Sequence, residues 1–156
     1  KIDHTLTTLN NPIAVMWGTG DTNVLAIESL STKLWLYNGA AWTIDSRINA
    51  ALYSLGGSSA TDIWAGGAQS VWHFDGTAWT RTMLPQASGN ILSVSSVSAT
   101  DAWAVDSLGA TFHYDGATWK VMDTGISTAS VAKLNAYSVN SKLTWIAGRG
   151  ILSVRK

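Results

Sequence analysis

Short apolar runs alternate with turns along this chain, and the alternation repeats. The stretch "LYSLGGSSATDIWAGGAQSVWHFDGTAWTRTML" at 52–84 is echoed by "LSVSSVSATDAWAVDSLGATFHYDGATWKVMDT" at 92–124. A more diverged copy, "VMWGTGDTNVLAIESLSTKLWLYNGAAWTIDS", covers 15–46. Each copy predicts four strands. The first is small and apolar ("ILSVSSV"), and a Ser-Ala-Thr-Asp turn follows it. Next come "AWAV", a glycine-containing loop and "ATFHY", whose residues alternate between two faces. The Asp-Gly or Asn-Gly that follows predicts a hairpin, since a type I′ turn needs φ > 0 at both central residues. "TWKVM" is then the last strand. No segment holds a helical period over about ten residues.

A fourth copy, "LNAYSVNSKLTWIAGRGILSVRK" (134–156), stops where its hairpin should come, and "DHTLTTL" (3–9) at the other end supplies a strand of the missing kind. Four copies over 156 residues give about 39 residues each, the spacing of β-propeller blades. The predicted fold is therefore all-β: one β-propeller domain over 1–156, with four-stranded antiparallel blades at about 11–46, 50–84, 89–125 and 131–156 plus 1–9. An N-terminal strand joining the C-terminal blade would latch the ring and cover an open sheet edge. Two closures fit, a four-bladed monomer or half of a larger ring shared between two copies.

Nine Trp suit the wedge between blades. Trp64, Trp103 and Trp145 share one place in the repeat, and Trp42, Trp79 and Trp119 share another, so all six are assigned to packing. "SATDIWAGG…HFDGTAW" and "SATDAWAV…HYDGATW" resemble the repeats of bacterial BNR-like, Asp-box-related propellers. Asp75, Gly76 and Trp79, like Asp115, Gly116 and Trp119, match part of the Asp-box pattern, with compressed spacing and no leading Ser. The resemblance implies a propeller and leaves its function open, because such repeats occur in sialidases, sugar-binding lectins, sensor domains and assembly factors.

Charge narrows the choice. Lys+Arg and Asp+Glu number ten each and charged residues make up only 13%, which gives no pull toward nucleic acid. No apolar run approaches the roughly 18 residues of a membrane span, so no membrane insertion is expected. There is no cysteine, hence no disulfide or thiolate metal site. The neutral, hydroxyl-rich surface points to an extracellular, periplasmic or cell-surface setting. The chain opens at Lys1 rather than Met, as a processed mature chain or a piece of a longer one does.

Candidate chemistry lies where the repeat fails. Asp62 and Asp101 are read as Asx turns, and Asp75 and Asp115 as hairpin residues whose job Asn38 does in the first copy. His73 and His113 occupy a place taken by Leu36 in the first copy, which marks a strand face rather than a metal or acid–base site. Glu28 and Asp106 stand where the other copies have Gly67 and Gly148. With Arg47, Arg149 and Trp17 they form the predicted ligand-binding set, on loops that would share one mouth of the ring. Trp17 is included because its counterparts are Gly56, Ser95 and Tyr137. A single Glu and four Arg leave little for a glycosidase or sialidase centre, so no catalytic residue, metal or cofactor is assigned. The expected function is non-enzymatic binding, with glycan stacked on Trp or Tyr as the most concrete ligand. The alternatives are a structural or protein-binding propeller within a larger bacterial surface protein, homo-oligomeric through ring sharing, and a glycosidase-like enzyme.

Overall fold

The computed structural model describes residues 9–87, 89–123, 135–140, 143–148 and 151–155. Every regular element among them is a strand, and the strands form sheets in chain order. β1 (Ile13–Gly20), β2 (Asn23–Glu28), β3 (Leu34–Tyr37) and β4 (Trp42–Ile44) make the first sheet. β5 (Leu52–Ser59), β6 (Asp62–Gly67), β7 (Ser70–Phe74) and β8 (Trp79–Met83) make the second. β9 (Ile91–Ser98), β10 (Asp101–Asp106), β11 (Thr111–Tyr114) and β12 (Trp119–Met122) make the third. β13 (Asn135–Asn140), β14 (Leu143–Gly148) and β15 (Ile151–Arg155) make the fourth, three-stranded among the described residues. Pairing within each sheet is antiparallel between chain neighbours, the meander expected of a blade. The N-terminal strand expected to complete the fourth blade lies outside the described residues.

The first strand of each sheet packs on the first strand of the next, which explains its small residues. Ser54 Oγ donates to the Ile91 carbonyl at 3.0 Å, Ser95 Oγ accepts from the Ser138 amide at 2.9 Å, and the Ala136 amide donates to Ser93 Oγ at 3.0 Å. A Cβ on Gly56 would stand 2.5 Å from the Val94 carbonyl oxygen, so the backbones meet with no room for a side chain. Larger residues fill the wedge farther out. Trp79 joins a cluster with Leu25 and Ile27 of the first sheet, and Trp119 sits edge-on to Trp64 at 5.4 Å. Edge-to-face packing of this kind adds about 0.5–1.5 kcal/mol to the burial of the rings.

The hairpin turns differ from expectation in detail. Phe74 pairs with Trp79, so Asp75 to Ala78 form a four-residue loop rather than a two-residue type I′ turn. Only the glycine is left-handed, with φ of 94° at Gly76, 90° at Gly116 and 93° at Gly39. Asp75 Oδ1 accepts from the Thr77 and Ala78 amides at 2.8 and 2.9 Å, and Asp115 and Asn38 do the same in their own loops. The side-chain cap replaces the second positive φ, which is why Asn and Asp interchange here.

Candidate functional site

The first strands of the four sheets converge on a cleft of about 870 Å³. Its walls carry Val15, Ile27, Leu52, Tyr53 and Leu92, with Asn135 from the fourth sheet. The β2–β3 loop forms one lip, and at its tip Leu30 is 98% exposed with φ of 54°. A left-handed leucine costs about 1–2 kcal/mol relative to an ordinary backbone. Leu108 holds the corresponding place in the β10–β11 loop and is also exposed, while Gln69 takes it in the second sheet with φ of 52°. Hydrophobic side chains are thus presented to solvent at two of these loop tips.

The predicted ligand-binding residues are placed elsewhere. Glu28 is 1% exposed: Oε1 accepts from the Asn10 and Asn11 amides, each at 3.1 Å, and Oε2 from Trp35 Nε1 at 3.2 Å, with Lys33 Nζ at 3.6 Å. Burial pushes its carboxyl up, but these donors outweigh burial and leave it below the ordinary carboxylate value. Asp106, also 1% exposed, accepts from the Leu108 and Ala110 amides at 2.9 Å and from the Gly89 amide at 3.3 Å. The two carboxylates do the same job, each tying the segment that leads into a first strand to that strand's own sheet. Arg47 makes a two-pronged pair with Asp45, lies 4.7 Å over the Phe74 ring and donates to the Thr77 carbonyl. Trp17 is half-buried with its ring edge 2.7 Å from where a Gly57 Cβ would be. None of these four lines the cleft. Arg149 lies outside the described residues.

A second arrangement was missed. Asp62 is buried, and instead of forming an Asx turn it accepts from His73 Nε2 at 2.8 Å and Trp64 Nε1 at 2.9 Å. Ser58 Oγ also donates to it, as does Ser96 Oγ of the third sheet at 3.1 Å. The His73 ring stacks on Trp64 at 3.9 Å. The third sheet repeats this, with His113 Nε2 at 3.0 Å from Asp101 and its ring stacked on Trp103 at 4.3 Å. Burial pushes the Asp62 carboxyl up, while the bonds from His73, Ser58 and Ser96 bring it below the ordinary value. The signal was in the repeat: the two copies that carry His are the two with Asp two residues before the Trp. The histidines are therefore tied into the blades rather than simply tolerated on a face. Among the described residues no three His, Asp or Glu side chains gather as metal ligands.

No protein-family model and no curated protein sequence matches the chain. Solved structures do. YCF48 from Cyanidioschyzon merolae superposes with a TM-score of 0.68 at 18% identity, over 94% of this chain and 51% of that one. A structure described as YCF48 bound to D1 peptide gives 0.67 at 14%, over 92% and 53%. A protein of unknown function from Bacteroides thetaiotaomicron gives 0.73 at 16%, over 97% and 42%, and the C-terminal WD40 domain of Sif2 gives 0.66 at 16%, over 98% and 45%. The chain spans about half the length of these structures. With its sheet order, the likeness makes the fold that of β-propeller blades.

Proposed function

We propose that this chain is a non-enzymatic binding module that holds an extended segment of a protein partner in the cleft between its first strands. The observation that carries the reading is Leu30, almost fully exposed and held in a costly left-handed conformation at the lip of a mainly apolar cleft. An apolar floor with Ser29, Ser31 and Thr32 on its rim suits a peptide with hydrophobic residues at alternate positions. The structure described as YCF48 bound to D1 peptide supports this reading, since a protein of similar fold binds a peptide. The glycan reading has weaker carriers. It needs an indole presented beside unengaged polar groups, whereas Trp17 packs against Gly57 and the Glu28 and Asp106 carboxylates already hold backbone amides.

The test is selection from a phage-displayed random peptide library, with recovered sequences titrated calorimetrically against wild type and Leu30→Asp. Enriched peptides with alternating apolar residues that lose at least about tenfold in affinity on Leu30→Asp support the reading, a change worth about 1.4 kcal/mol. Failure to enrich any sequence, together with binding on a glycan array, would replace it with the lectin reading.

A further inference from the structure

The first two junctions differ where the last strand of one sheet meets the hairpin of the next. At the first, the segment that leaves β4 reaches across to the second sheet. Asp45 Oδ2 accepts from Trp79 Nε1 at 3.1 Å, and the same carboxylate accepts from Arg47 at 2.8 and 2.7 Å. The guanidinium lies 4.7 Å over the Phe74 ring and donates to the Thr77 carbonyl at 3.1 Å. One Asp-x-Arg segment therefore engages an indole N–H, an aromatic face and a carbonyl of the neighbouring sheet together.

The second junction keeps all three of these groups but not the segment. Cross-strand pairing makes Trp119 the counterpart of Trp79 and Tyr114 that of Phe74. The loop capped by Asp115 matches the one capped by Asp75, so Ala117 stands for Thr77. Thr82 takes the place of Asp45: each follows the residue paired with the Trp of the third strand, Trp72 or Trp35. β8 also stays in the ladder as far as Met83, where β4 has already ended at Ile44. The result is a groove of about 460 Å³ between β8 and the β11–β12 hairpin, with Trp64, His73, Tyr114 and Trp119 among its lining residues. Trp119 is 8% exposed, and among the described residues its Nε1 has no acceptor. That nitrogen is not sealed in, because the enclosed and unpartnered side-chain atoms are Asn23 Oδ1, Trp72 Nε1 and Thr111 Oγ1. A largely buried donor that opens on a groove calls for an acceptor from outside the chain. No Asp, Glu, Lys or Arg lines the groove. A guanidinium seated on Tyr114 would find no carboxylate there, so the occupant must bring its own, as Asp45 does for Arg47.

We propose that the groove between the second and third sheets takes an Asp-x-Arg segment of a protein partner, docked as Asp45 and Arg47 dock at the first junction. The partner's carboxylate accepts from Trp119 Nε1 and holds its own arginine in a two-pronged pair, the strong and directional form of this contact. The guanidinium lies on the Tyr114 ring and donates to the Ala117 carbonyl. The inference does not rest on what the cleft between the first strands binds, since no residue lines both.

The probe is the acetylated, amidated peptide Ile-Asp-Ser-Arg-Ile, which copies positions 44–48 of this chain. It is titrated into nitrogen-15-labelled protein while the assigned Trp119 indole N–H is followed by NMR. That signal should shift to saturation, and peptides carrying Asp45→Asn or Arg47→Gln should bind at least about tenfold more weakly. Thr82→Asp, at an exposed position, returns a carboxylate to the place of Asp45. It should weaken the parent peptide at least about tenfold and reverse the preference, so that the Asp45→Asn peptide binds the better of the two. Leu30→Asp should leave the titration unchanged. The proposal is overturned by an indole signal that does not move at millimolar peptide, or by equal binding of the three peptides. It is also overturned by a preference that Thr82→Asp leaves unaltered, or by loss of binding on Leu30→Asp, which would put the peptide in the cleft. If Thr82→Asp does not fold, the three peptides on wild type and on Leu30→Asp decide.

Discussion

Asp62 is the residue whose removal tests the account of these blades most directly. Its carboxylate is 3% exposed and accepts four hydrogen bonds, from Ser58, Ser96, Trp64 and His73. Asp62→Ala removes the acceptor of all four bonds at once. Ser58 is exposed and His73 partly so, and both can turn to water. Trp64 and Ser96 are buried and cannot. An orphaned buried donor costs about 1–3 kcal/mol, so two of them set an expected loss of roughly 3–4 kcal/mol. That is a large share of the 5–15 kcal/mol typical of a domain. Urea unfolding followed by tryptophan fluorescence reads the loss as a lower midpoint at constant slope. Asp62→Asn keeps an acceptor for Trp64 and gives the serine hydroxyls a donor, so its loss should be roughly 1–2 kcal/mol.

The acid limb supplies an independent readout. The folded-state value of the Asp62 carboxyl lies below the ordinary one of about 3.9, despite burial, because His73, Ser58 and Ser96 favour the ionised form. A depressed carboxyl contributes stability above its unfolded value and loses it as the pH falls through the folded value. Wild type should therefore lose stability below about pH 4, and Asp62→Asn should lose less over the same window. An Asp62→Ala protein within about 1 kcal/mol of wild type, or an Asp62→Asn acid limb that parallels wild type, would refute the network as a source of stability.

Two further contrasts probe the junctions and loops. A Cβ at Gly66 would stand 2.4 Å from the Ile91 carbonyl oxygen, whereas the nearest atom to one at Gly67 is 3.3 Å away. Gly66→Ala should thus force the second and third sheets apart and cost about 1–3 kcal/mol in thermal melts, with Gly67→Ala close to wild type. Trp35 Nε1 donates to Glu28, but Trp72 Nε1, at the matching place beside Gly67, is buried without a partner. Trp35→Phe should be the less stable of the two Trp→Phe variants, and equal melting temperatures would show that the Glu28 contact contributes nothing.

What could be read from the sequence follows from how a repeat encodes structure. The junctions need small residues at the inner strands and indoles farther out in every blade, so the same residue types recur at fixed spacing and the architecture shows in one dimension. The hairpins were legible for the same reason, although Asp-Gly alone could not distinguish a two-residue turn from the four-residue loop capped by Asp75. Reading function from breaks in the repeat singled out carboxylates that the structure shows engaged by backbone amides. Glu28 and Asp106 differ from Gly67, and each carboxylate accepts from backbone amides of the segment that leads into the first strand of its own sheet. Departure from a repeat marks a position with a different job, and only the partners of that side chain tell which job it is. Leu30 carried no such mark, since leucine is common and its left-handed backbone leaves no trace in composition.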